Sequence, residues 1–74
     1  MTERKVKITT EFIRLDSLLK LAGAVGTGGH AKMVILDGEV LVNGEVCLMR
    51  GKKLYNSDVA EFDGERITVV SQED

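Results

Sequence analysis

The sequence predicts an α+β fold in which a two-helix hairpin packs on a small, strongly bent antiparallel β-sheet. Apolar residues first recur with a helical period, glycines then interrupt them, and after residue 38 the period changes to two. The 74 residues are enough for one hydrophobic core. We therefore expect a single domain over residues 1–74, with a thin margin of stability.

The first predicted helix is short. Four apolar residues stand at the spacing of one helix face, namely Leu15, Leu18, Leu19 and Ala22. Gly23 and Gly26 interrupt the pattern and end the helix, and we expect Phe12 to pack against its start.

The second predicted helix follows directly. Thr27 is a good N-cap, because its hydroxyl can accept a hydrogen bond from a backbone N–H of the next turn. Ala31, Val34 and Ile35 form the inward stripe, and Gly38 stands where a helix C-terminus favours glycine. Two short helices separated by a glycine-rich turn form an αα-hairpin.

The strands are indicated by alternation of apolar and polar residues. They are predicted at residues 5–9, 39–42, 45–47, 59–62 and 67–70. Asn43-Gly44 and Asp63-Gly64 are strong signals for tight hairpin turns, since such turns need positive φ at both central residues. Residues 48–53 are predicted to form a basic loop.

The charge is unevenly distributed along the chain. The net charge is −2, but residues 1–53 carry nine Lys and Arg against six Asp and Glu. Residues 54–74 carry one Arg against six acidic residues. Binding depends on the local patch that meets the ligand, so the overall sign does not exclude a nucleic acid. We expect the acidic segment to face away from such a ligand.

Several classes of function are disfavoured. No apolar run approaches the roughly 20 residues of a membrane span, and no hydrophobic signal segment follows residue 1. A cytoplasmic location is the expectation. Cys47 and His30 are each single, so neither a disulfide nor a zinc site is expected. Cys47 is interpreted as a small apolar residue near a strand end; as a catalytic thiol it would have only His30 as a base. Residues 26–32 lack the ending of a nucleotide-binding P-loop. We expect no cofactor, no metal and no catalysis.

The order of motifs resembles a known family. The resemblance rests on Arg14-Leu15-Asp16, on Thr27 as cap with Ala31 at the fifth helical position, on residues 38–44 (Gly-x-Val-x-Val-Asn-Gly) and on Ser57-Asp58. Together they resemble the RNA-binding domain of the ribosomal protein S-four type, the alpha-L motif, from about residue 12 to residue 62. Residues 27–32 and 50–55 are similar to short stand-alone bacterial members. The resemblance implies RNA binding, with ribosomal RNA favoured and a ribosome-associated role.

One departure concerns the position after the cap of the second helix. Many members of the family carry Arg there, within reach of RNA phosphate, and this chain has Gly28. Because Gly28 and Gly29 lack side chains, a phosphate could instead approach the free N–H groups of the helix N-terminus. The alternative is a turn whose glycines only permit tight packing. His30 could donate to phosphate or stack on a base, or it could be exposed without a role.

The second candidate feature is the basic loop. Arg50, Lys52 and Lys53 place three cations within four residues, and Arg can bind phosphate bidentately. The alternative is an ordinary solvated surface. Lys32, Lys20 and Arg14 are expected on the same surface, although Arg14 could instead pair with Asp16 or Glu11.

Two further expectations concern the mode of recognition. Asn43 is assigned to the hairpin turn, with an RNA contact as a secondary role. Aromatic residues are few, so we expect no platform for stacking bases, and recognition should rest on the shape and backbone of folded RNA. The competing hypothesis is a protein-interaction adaptor that uses the acidic segment 54–74 or an edge strand.

Overall fold

The structure consists of a helix pair resting on a five-stranded sheet, with a small two-stranded sheet beside it. It is a computed structural model that describes residues 2–72. The elements are β1 (Thr2–Ile8), β2 (Ile13–Arg14), α1 (Leu15–Leu21), α2 (Gly28–Leu36), β3 (Leu41–Val42), β4 (Glu45–Val46), β5 (Lys53–Leu54), β6 (Val59–Phe62) and β7 (Glu65–Ser71). The predicted α+β class is confirmed. Neither helix of the described part is long and apolar enough to cross a membrane.

The large sheet is mixed. Its strand order is β1-β7-β6-β3-β4, and β2 pairs with β5 in the second sheet. The expected antiparallel pairing holds for β3 with β4, β3 with β6 and β6 with β7. The pairing of β1 departs from it, because β1 runs parallel to β7 from Thr2 opposite Glu65 to Ile8 opposite Ser71. A parallel pair needs a long connection, which the two helices and strands β2 to β6 provide.

The core lies between the helix pair and the inner face of the sheet. The predicted inward stripes are confirmed, since Leu15, Leu18, Leu19, Ala22, Ala31, Val34 and Ile35 are all buried. Val40, Leu54, Ile67 and Val69 complete it from the strand side, each fully buried. Phe12, expected at the start of α1, packs against Tyr55 on the neighbouring β5 side.

Three turns adopt positive φ at residues that carry side chains. Asn43 and Gly44 have φ values of 51° and 87°, and Asp63 and Gly64 have 51° and 78°, which confirms both predicted hairpin turns. Ser57 has a φ of 76°. It occupies the position where the family resembled by the sequence carries glycine. The backbone there needs the left-handed region, which a residue with a Cβ adopts only with strain.

Candidate nucleic-acid interface

The basic loop is built onto the start of α1 by backbone hydrogen bonds. The N–H of Leu15 donates to the carbonyl of Lys52 over 2.9 Å, and that of Asp16 donates to the carbonyl of Arg50 over 3.1 Å. First-turn amides of a helix have no partner within the helix. Arg14, the N-cap residue, makes no capping bond with its side chain. The loop therefore caps α1, and the helix in turn fixes the loop.

Pairing of β2 with β5 adds Arg14 to the loop. Arg14 lies opposite Lys53 in this ladder. A methyl group added at Gly51 would lie 3.7 Å from Nη2 of Arg14, so the guanidinium extends over the loop. We call Arg14, Arg50, Lys52 and Lys53 the basic cluster. The structure brings together these four residues, all of them predicted from the sequence.

The basic cluster keeps most of its charge uncompensated. Arg14 forms an ion pair with Asp16 at 3.1 Å, and its side chain is still 52% exposed. This settles which of the two acidic neighbours it pairs with. Arg50, Lys52 and Lys53 are exposed and make no ion pair within residues 2–72. Within residues 2–72 the basic cluster thus forms a single ion pair.

Lys20 and Lys32 lie outside the basic cluster. Lys20, in the last turn of α1, lines a shallow hollow with Ile13, Ser17 and Leu21. Lys32 is exposed on α2. Within the described part of the chain, neither lysine makes an ion pair or a side-chain hydrogen bond with the cluster. Their contribution to a common surface remains a prediction.

The N-terminus of α2 has the predicted cap. Oγ1 of Thr27 accepts a hydrogen bond from the N–H of His30 over 3.1 Å. The space around Gly28 is open, because a methyl group there would meet nothing within 4 Å. Gly29 would meet only Oγ1 of Thr27 at 3.9 Å. Both glycines are exposed, and amides in the first turn of a helix have no partner within the helix.

His30 lies beside carboxylates. It lines a hollow together with Asp37, Glu39 and Asp63. These side chains give that side of α2 a negative surrounding, which disfavours phosphate. The phosphate contact considered for His30 therefore remains only a prediction.

Asn43 serves the turn with its side chain as well as its backbone. Its Oδ1 accepts from the N–H of Val59 over 2.9 Å, and its Nδ2 donates to Oδ1 of Asp58 over 3.2 Å. Both polar ends of the side chain are thus engaged inside the protein. The predicted structural role is confirmed, and a simultaneous RNA contact is left as a prediction.

The structure also pairs two aromatic residues that the sequence did not connect. The ring centroids of Phe12 and Tyr55 are 5.9 Å apart, with the rings tilted by 50°. Nζ of Lys53 lies 4.8 Å from the centre of the Phe12 ring. The sequence predicts no aromatic platform for stacking bases, and the structure shows that two of the three aromatic residues nevertheless lie side by side next to Lys53. No signal in the sequence connects them, because β2 and β5 pair over only two residues. In the structure Ile13 pairs with Leu54, and continuing this register by one position sets Phe12 opposite Tyr55.

Cys47 lies where the sequence placed it, just after the end of β4. It is half-buried and packs against the core, and its thiol contacts the carbonyl oxygen of Met49 at 3.7 Å. Residues 2–72 contain no group of three or more His, Cys, Asp or Glu side chains arranged to hold a metal ion.

Comparison with known proteins adds two findings. A family model described as "S4 domain" matches residues 6–70. A protein of Bacillus subtilis (strain 168) named "Probable ribosome maturation protein RlbA" is 48% identical over 59 residues, which cover 80% of this chain and 83% of that protein. The matched range of the family model includes α1, α2, the basic cluster and the aromatic pair.

Proposed function

The chain belongs to the S4 domain family, which confirms the resemblance in its sequence, and from this premise we propose that it is a non-catalytic module binding structured RNA. Ribosomal RNA is the proposed class of target. The ribosome maturation named for the Bacillus subtilis relative supports this choice. The proposal also places the protein in the cytoplasm, where bacterial ribosomes are assembled.

The basic cluster is the observation that carries the proposal. Its three loop cations are exposed and lack an acidic partner within residues 2–72. A protein surface that neutralises phosphates releases the counterions condensed on the nucleic acid, and this release drives binding. The hydrogen bonds from the start of α1 to the carbonyls of Arg50 and Lys52 limit the entropy that the loop would lose when RNA binds.

A second contact is proposed at the N-terminus of α2. The amides of Gly28 and Gly29 are exposed and lie at the positive end of the helix dipole. In this proposal they bind one phosphate in place of the arginine that many relatives carry after the cap. Lys32 and Lys20 contribute long-range attraction, and the basic cluster supplies most of the affinity.

Charge reversal tests the proposal. Arg50→Glu, Lys52→Glu and Lys53→Glu together should lower the affinity for a folded fragment of ribosomal RNA by roughly 100-fold near 0.1 M salt. The log–log slope of affinity against salt, set by about 3 to 5 phosphate contacts in the unmodified protein, should become shallower by roughly 2 to 3.

A matched control changes the same number of charges elsewhere. Lys5, Lys7 and Arg66 are exposed on β1 and β7, and their reversal to Glu should weaken binding much less. An affinity that responds neither to salt nor to the loop substitutions would contradict the proposal, provided that circular dichroism shows a folded variant.

The adaptor hypothesis is supported by a different surface. β4 is an edge strand, and Val46 together with Leu48 and Met49 after it is 55–65% exposed. The acidic segment, residues 54–74, gives the adaptor hypothesis less support. Glu65 pairs with Arg4, Asp58 is bound within its turn, and Glu73 and Asp74 lie outside the described residues. A protein partner that stays bound to the chain after RNase treatment would favour the adaptor.

A further inference from the structure

Tyr55 presents an aromatic ring directly beside the basic cluster. The residue is 43% exposed. Phe12 is half-buried behind it, with ring centroids 5.9 Å apart. Together the two rings form a small aromatic surface, and Lys53 links it to the cluster through its contact with Phe12.

The position of Tyr55 is fixed by its backbone. Its N–H donates to Oδ2 of Asp58 over 2.7 Å, and its carbonyl accepts from the N–H of Asp58 over 3.0 Å. Asp58 is held in turn by Nδ2 of Asn43. A fixed backbone leaves only the side-chain torsions of Tyr55 to be ordered when a ligand packs on its ring, which favours binding.

The chemistry of this surface points to one part of an RNA molecule. Every nucleobase can stack on an aromatic ring, but a base inside a duplex already has both faces covered by its neighbours. A bulged or looped-out nucleotide offers a free face, and its own phosphates lie close to that face. An exposed ring next to several cations matches both parts of such a nucleotide.

We propose that Tyr55 stacks on the base of an unpaired nucleotide while the basic cluster binds the adjoining phosphates. This inference rests on the proposed RNA binding and adds to it a preference for RNA helices interrupted by an unpaired nucleotide. Phe12 supports the ring of Tyr55 from behind. The hydroxyl of Tyr55 makes no hydrogen bond within residues 2–72, so it is available to the ribose or phosphate.

The chain itself supplies the probe. Tyr55 is its only tyrosine and it contains no tryptophan, so tyrosine fluorescence reports on this ring alone. Two hairpin RNAs should be compared, one with a single-nucleotide bulge in the stem and one fully paired, both closed by the same short stable loop. Titration with the bulged RNA should quench the fluorescence, and the paired RNA should quench it much less at equal occupancy.

Substitutions separate stacking from charge. Tyr55→Leu should lower the affinity for the bulged RNA by roughly tenfold and that for the paired RNA by less than about twofold, and Tyr55→Phe should retain the preference. Arg50→Glu should weaken both complexes alike. The stacking proposal is overturned if both RNAs quench equally or if Tyr55→Leu leaves their ratio unchanged, and RNA binding itself would still stand. Absence of binding to either RNA at low salt would overturn both proposals.

Discussion

The two proposed phosphate contacts are built in opposite ways. In the basic cluster the backbone carbonyls of Arg50 and Lys52 accept hydrogen bonds from the start of α1. The side chains carry the charge that would bind a phosphate. At the N-terminus of α2 the side chains are absent at Gly28 and Gly29, and the backbone amides are what a ligand can reach. Substitutions can therefore remove the contact at the basic cluster. The contact at α2 depends on backbone amides, which a change of side chain leaves in place.

Their electrostatic surroundings differ as well. Within residues 2–72, the four cations of the basic cluster form a single ion pair, that of Arg14 with Asp16. Near the N-terminus of α2, His30 lines a hollow together with three carboxylates, those of Asp37, Glu39 and Asp63. If the proposed RNA binding holds, concentrated positive charge in the basic cluster replaces the arginine that many relatives carry at the position of Gly28.

The largest expected effect concerns the attachment of the basic cluster to the core. Leu54 follows Lys53 in β5 and is fully buried. Leu54→Ala should lower the free energy of unfolding by about 3 kcal/mol, because it leaves a cavity in a small core. Urea denaturation measures this. Leu48→Ala, at a 55% exposed position, is the control. Equal losses in the two variants would show that the cluster is not anchored to the core.

The next prediction restores a side chain to the α2 contact. Gly28→Arg has open space for its Cβ and should raise the affinity for structured RNA about tenfold, with a salt slope steeper by about 0.9. Gly28→Gln is the control, since it adds a similar side chain without the charge. If the two variants bind RNA equally well, the N-terminus of α2 does not face the RNA, and the basic cluster acts alone.

The turn behind Tyr55 is expected to be strained. Ser57 has a φ of 76°, so Ser57→Gly should stabilise the protein by about 1 kcal/mol. Thermal or urea unfolding provides the measurement. Ser57→Ala keeps the Cβ and should bring no such gain. A stabilisation shared by both variants would mean that the side chain of Ser57, and not its backbone, was unfavourable.

The smallest expected effect is a difference in RNA affinity between two variants whose N-cap residues of α2 differ in charge. Asn and Asp both cap helices well, so Thr27→Asn and Thr27→Asp should leave the unfolding temperature nearly alike. If a phosphate lies at this helix end, the Asp variant should bind RNA about threefold more weakly than the Asn variant, because like charges repel across a partly exposed site. Filter binding at low salt is sensitive enough. Equal affinities would again leave the basic cluster as the sole phosphate contact.

Local features were predictable from the sequence, and long-range partners were not. Thr27 caps α2 and Asn43-Gly44 turns the hairpin because each acts on a backbone within a few residues. The basic cluster was predicted as three loop cations with Arg14 on the same surface. Phe12 and Tyr55 were not connected, because β2 and β5 are two residues long and too short to show alternation. The parallel partner of β1 was missed for a related reason, since alternation reveals a strand but not its neighbour.

The pairing of β1 with β7 also bears on how the protein forms during synthesis. β1 is synthesised before its partner strand β7, and both helices and strands β2 to β6 are made in between. Contacts between such distant segments slow folding. While translation proceeds, β1 has an unpaired edge of backbone N–H and carbonyl groups, a place where strands of other chains can add. Lys5 and Lys7 are exposed on this strand, and charged side chains of this kind disfavour the addition of strands from other chains.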